Sequence, residues 1–125
     1  MARTLFVVED DLMFAQRARA AAGRLGIVAQ GVSPADARTR TWQANEVVVL
    51  QATLRPEQQL ELVDHLTHVE SPPVVVAVTG HLETDLRQRL KGRGAVLAAH
   101  SAMDRVLARA LRINVPGDAA SSPRA

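Results

Sequence analysis

The chain has no cysteine and no tyrosine, and its aromatic residues are two Phe and one Trp among 125 positions. Without cysteine there is no disulfide framework and no thiolate chemistry, which fits a reducing compartment. Aromatics make up 2% of the chain against 47% hydrophobic residues overall, so the core has to be built from Val, Leu and Ala. That scarcity of stacking rings, with no helix-turn-helix patterning, speaks against dedicated DNA or RNA readout. No apolar run approaches the roughly 20 residues that a membrane span needs. Met1-Ala2-Arg3-Thr4 enters the first apolar run with no secretory core before it, so the expectation is a soluble, cytoplasmic protein with no membrane role. Charge is close to balanced at +2, and the placement of the arginines therefore matters more than their number.

What is present is organised around Leu5-Phe6-Val7-Val8, which runs directly into Glu9-Asp10-Asp11. A short apolar run ending in charge reads as a strand buried on both faces, with its carboxyl end open to water. Carboxylates at that edge of a parallel sheet mark the place where such folds put their sites.

The rest of the chain alternates. Phe14, Ala18, Ala21 and Leu25 stripe a helix over Leu12 to Leu25, with Gly26 as its stop, and Ile27-Val28-Ala29 reads as a second strand. Ser33-Pro34 opens a short polar helix to about Ala44, anchored by Trp42. Glu46 to Leu50 is a third strand with Gln51 at its mouth, and Pro56 opens a helix with Leu60, Val63 and Leu66 inward. Val74 to Val78 is a fourth strand ending in Thr79-Gly80, followed by a helix striped by Leu82, Leu86 and Leu90. Ala95 to Ala99 is a fifth strand with His100 at its mouth. The last helix turns Met103, Val106, Leu107, Ala110 and Leu111 inward. Residues 116–125 lack any period and read as a disordered tail, which leaves one domain over 1–115.

Five apolar strands alternating with five helices make an α/β fold, a doubly wound parallel sheet in the flavodoxin-like order 2-1-3-4-5. In that order the first and third strands flank the switch point, where Glu9, Asp10 and Gln51 should meet.

With these residues in place, the chain resembles the receiver domain of two-component response regulators over roughly residues 3 to 113. The resemblance rests on Val7-Val8-Glu9-Asp10, on Pro73-Val74-Val75-Val76-Ala77-Val78-Thr79-Gly80, and on the five-fold alternation. It implies that Glu9 and Asp10 match the acid pair that helps hold Mg²⁺, and that Thr79 matches the hydroxyl that binds phosphoryl oxygens. The same resemblance puts Gln51 where the phospho-acceptor Asp should be, His100 where a Lys should be, and Leu97 where the reporting aromatic should be. The loop after the third strand, Ala52 to Gln59, lacks the usual Gly. An amide forms no acyl phosphate, and between Gln30 and Asp64 the only Asp is Asp36, on another element. Acceptor, Lys, aromatic and loop are changed together, which describes a pseudo-receiver with its phosphorylation chemistry lost.

Other residues carry two readings each. Glu9, Asp10 and Asp11 either keep a weakened Mg²⁺ site or satisfy the N-terminus of the first helix, so no cofactor beyond weak Mg²⁺ is expected. His100 is either a proton-dependent latch beside the acids or a neutral imidazole bonded to Gln51 or to backbone. Thr79 is a ligand contact or a locally bonded hydroxyl. His65 and His68, without a third ligand, read as a solvated face. Arg87, Arg89, Lys91 and Arg93 load the fourth helix and its exit; Arg105, Arg109 and Arg112 load the fifth. In receivers these helices form the face used by partners and dimers. The expectation is a stand-alone, phosphorylation-independent protein-interaction module rather than an enzyme, with a homodimer through helices four and five as one arrangement. Nucleic acid is not an expected partner. The alternative function is a small-ligand or metal sensor using the former acidic pocket.

Overall fold

The computed structural model describes residues 3–113; the expected tail at 116–125 lies outside the described residues. The strands are β1 (Thr4–Val8), β2 (Gln30–Val32), β3 (Glu46–Gln51), β4 (Val74–Thr79) and β5 (Val96–Ala99). The helices are α1 (Leu12–Arg24), α2 (Pro34–Thr39), α3 (Pro56–Thr67), α4 (Thr84–Gly92) and α5 (Met103–Ala110), with a 3₁₀ turn over His100–Ala102 before α5. All strand pairings are parallel and the order is β2-β1-β3-β4-β5, as expected from the sequence.

Alternation along each strand divides the core in two, because successive side chains leave opposite faces. Phe6, Val8, Val48, Leu50, Val75 and Ala77 pack on one face against Ala37, Leu60, Val63, Leu66, Leu86 and Leu90 from α2, α3 and α4. Leu5, Val7, Val47, Val49, Val76 and Val78 pack on the other against Phe14, Ala18, Ala21, Met103, Leu107 and Leu111 from α1, α5 and the residue after it. Both faces of the central strands are thus covered. That is why they are apolar at consecutive positions between their polar ends instead of at every second one.

Three expectations are corrected. The second strand is Gln30–Val32, not Ile27-Val28-Ala29, and Val28 is 87% exposed. Gly26 at φ 80° turns the chain out of α1, and pairing with β1 begins only at Phe6↔Gln30. An edge strand needs little apolar content of its own, so the apolar triplet gave a false register. The second helix ends at Thr39, not near Ala44. Trp42 is buried as expected, but in the loop after α2, with Nε1 donating to the Ala37 carbonyl at 2.9 Å. Leu82 precedes α4 and is 81% exposed, because the chain from Gly80 to Glu83 is a turn closed by Glu83 N–H donating to the Gly80 carbonyl.

Candidate functional site

The register brings the ends of β1, β3, β4 and β5 to one edge of the sheet. Gln51 pairs across to Val78, and Thr79 to Ala99. Asp11 caps α1, accepting from Met13 N–H at 3.1 Å and Phe14 N–H at 3.4 Å. Its other oxygen accepts from Gln51 Nε2 at 2.5 Å. The sequence placed Gln51 with Glu9 and Asp10; the carboxylate that meets it is Asp11. Of the acids, Asp11 is the one that serves the N-terminus of the first helix, and its second oxygen faces Gln51.

Glu9 and Asp10 turn to different partners. The Glu9 carboxylate lies against Gly31 of β2, where a Cβ would collide with it, and pairs with Arg19 of α1. Asp10 accepts from Gln59 Nε2 at 2.7 Å, with Arg55 at 3.8 Å. A Mg²⁺ site needs several hard oxygens converging on one point. Here the two acids diverge, and no group of three His, Cys, Asp or Glu residues among the described residues is arranged to hold a metal. As placed, this donor set does not fit Mg²⁺.

The Thr79 hydroxyl is fully buried and accepts from Arg87 Nη1 at 2.9 Å. Arg87 is thereby turned toward the pocket. One turn into α4, the partly exposed Arg87 reaches back with one guanidinium nitrogen to the buried hydroxyl at the end of β4. His100 begins the 3₁₀ turn, half-buried, and its Nδ1 is buried with no hydrogen-bond partner among the described residues. Of the partners expected for a neutral His100, Gln51 is not bonded to it among the described residues; the Gln51 amide nitrogen donates to Asp11.

One participant escaped the sequence reading. Glu83 Oε2 accepts from Thr53 Oγ1 at 2.8 Å and from Gly80 N–H at 2.6 Å. A Glu four residues past a strand end looks like ordinary helix-start charge. No local pattern reveals that it reaches a loop 30 positions earlier.

Beside Asp10, a cavity of about 280 Å³ is lined by Pro34, Arg38, Arg55, Gln58, Gln59, Glu61 and Leu62. Gln59 is buried, and its amide oxygen has no partner among the described residues. A carboxylate only accepts, so Asp10 fixes the amide nitrogen toward itself and leaves that oxygen over.

On the far side, Arg89 is held by Glu57 of α3 through bonds of 2.9 and 3.1 Å, which depress the Glu57 carboxyl below its ordinary value. The pair ties α4 to α3 at the surface, with both side chains still partly exposed. Lys91, Arg105, Arg109 and Arg112 are exposed. Arg109 borders an apolar groove formed by Val74, Val96, Leu97, Val106 and Ala110. Arg112 stands at φ 59°, the chain's one described non-glycine in the left-handed region.

No protein-family model matches the chain, and no curated protein does. Solved structures are similar. A response regulator from Colwellia psychrerythraea superposes with a TM-score of 0.68 at 13% identity, covering 90% of this chain and 98% of its own. A response regulator receiver protein from Burkholderia phymatum gives 0.68 at 19% identity over 91% and 98%. A response regulator from Thermotoga maritima gives 0.69 at 14% over 90% and 99%. At such low identities the likeness concerns architecture. The chain has the fold of response-regulator receiver domains, whole and uninterrupted over its described residues.

Proposed function

We propose that the protein is a pseudo-receiver: a receiver fold that no longer takes a phosphoryl group and acts as a phosphorylation-independent interaction or regulatory module in two-component signalling. The observation that carries this reading is Gln51, an amide at the mouth of β3 whose nitrogen is bound to Asp11. An amide is a weak nucleophile that forms no acyl phosphate, and the nitrogen of this one is already engaged by Asp11. The nearby hydroxyl is buried and occupied by Arg87, and the acids are each held by other partners. Such a set supports a binding role over an enzymatic one.

The partner surface is the outer edge of β5 and α5. Arg109 lines the groove of Val96, Leu97 and Val106, Arg105 is exposed on the same helix and Arg112 just after it, and a cation beside apolar groups suits an acidic protein surface. A second copy of the chain is the other candidate for this face. No helix among the described residues is long and apolar enough to cross a membrane.

The test is incubation with acetyl phosphate and Mg²⁺, read by intact-mass spectrometry. No phosphoryl adduct is expected; a stable adduct would overturn the reading. The alternative, a small-ligand sensor, draws on the cavity beside Asp10 and the unpaired Gln59 oxygen. A metabolite that raises the melting temperature of the wild type but not of Gln59→Leu would favour it.

A further inference from the structure

We propose that Glu83 is a built-in anion: its carboxylate occupies the oxyanion position at the mouth of the pocket and holds the two loops around it in one arrangement. The inference rests on the pseudo-receiver reading and adds how the loops after β3 and β4 are held together without a phosphoryl group.

Glu83 is the residue before α4, where a short acidic side chain would cap its own helix. Its side chain makes no such capping bond. Instead it reaches back, and one oxygen, Oε2, collects two donors from different loops: the Gly80 N–H immediately after Thr79, and the Thr53 hydroxyl two residues after Gln51. These donors stand at the ends of β4 and β3, the strands whose mouths carry the buried hydroxyl and the amide. Donors converging on one negatively charged oxygen form an oxyanion site, and bonds to a charged acceptor are the strong ones. The turn is closed from both directions, since Glu83 N–H also donates to the Gly80 carbonyl. A Cβ at Gly80 would lie 3.0 Å from the same carboxylate oxygen, which leaves little room for a larger residue there.

An external oxyanion competing for these donors has to displace a tethered carboxylate, present at high effective concentration through its own chain. In the wild type the site is therefore closed to inorganic anions, and the loops need no modification to be ordered. Removing the carboxylate should open it.

The experiment compares melting temperatures of the wild type, Glu83→Ala and Glu83→Ala/Thr53→Val in sodium chloride, sodium acetate and sodium phosphate at matched ionic strength. Glu83→Ala is expected to melt several degrees lower in chloride. Acetate or phosphate should restore part of the loss, selectively over wild type, and adding Thr53→Val should remove the rescue. Equal response of Glu83→Ala and wild type to these anions would overturn the proposal. If Glu83→Ala does not fold, the Gly80 amide resonance in Glu83→Gln decides the matter: it shifts when the charge is lost, and an unmoved resonance overturns the tether. A phosphoryl adduct on the wild type would sink the pseudo-receiver reading while leaving these anion comparisons valid. Absent rescue would sink the tether and leave the mass measurement standing.

Discussion

Gln51 and Asp11 form a neutral–charged pair at 2.5 Å, and the chemistry of the site turns on that neutrality. Gln51→Asp would set two carboxylates against each other, a like-charge pair that invites a cation between them. Mg²⁺ is therefore expected to stabilise Gln51→Asp well beyond its effect on wild type, measured as melting temperature against matched sodium chloride; equal shifts would contradict this. Arg40 is a second residue with a defined task. Its guanidinium lies 4.2 Å from the Phe6 ring centroid and 4.3 Å from that of Trp42, and it bonds the buried Glu46 at 3.2 Å. Arg40→Ala leaves that carboxylate with only the Gln43 N–H and removes a cation from two rings. We expect a loss of about 2–3 kcal/mol in urea unfolding, since breaking one side of a largely buried pair is costly. A loss under about 0.5 kcal/mol, the range of ordinary surface changes, would contradict it. At this scale the sequence was legible where a residue sits at a strand end: Gln51, Thr79 and His100 are at the mouths expected of them. It was not legible where long side chains choose among distant partners, as Glu83, Arg87 and Asp11 do.

Between elements, the ties are ion pairs that cross from helix to helix. Arg24 of α1 grips Asp104 of α5 with bonds of 2.6 and 2.9 Å. Those hydrogen bonds, aided by the Arg24 charge and opposed by burial, hold the Asp104 carboxyl below its ordinary value. A depressed carboxyl stabilises the fold fully above its unfolded pKa, about 3.9 for Asp, and loses that contribution as pH falls through the lower folded value. Asp104→Asn should therefore melt lower than wild type at pH 7, and the gap should close below pH ~3.5. Both partners are substantially exposed, so salt should narrow the gap as well. A gap independent of pH would mean that Asp104 acts by packing or helix capping instead. Element existence was readable because short continuous apolar runs mark the buried strands and a 3.6-residue period marks the helices. Element edges were less so. Leu82 continued the period of Leu86 and Leu90, yet the turn at Gly80–Glu83 leaves it in water, since periodicity does not register where a helix begins.

For the whole molecule, the two-sided core explains how the receiver fold persists in a chain only 13% and 19% identical to the Colwellia and Burkholderia structures. The constraints are spread over many small apolar positions, which tolerate exchange among Val, Leu and Ala as long as volume and pattern persist. The proposed function does not share that tolerance, because it hangs on a few side chains at one sheet edge and on the arginines of α5 and its exit. Replacing Arg105, Arg109 and Arg112 together by Glu should leave the fold intact, as all three are exposed, and abolish binding to any partner whose association weakens with added salt. Unchanged binding would place the partner elsewhere. The most direct test of the pseudo-receiver reading is a two-dimensional amide NMR titration with Mg²⁺ followed by beryllofluoride, the phosphoryl mimic. The expected result is that the resonances of Asp10, Gln51, Thr53, Thr79 and Gly80 stay in place. If they move together, with shifts spreading into α4 and α5, the pocket still senses a phosphoryl group and the central claim is wrong.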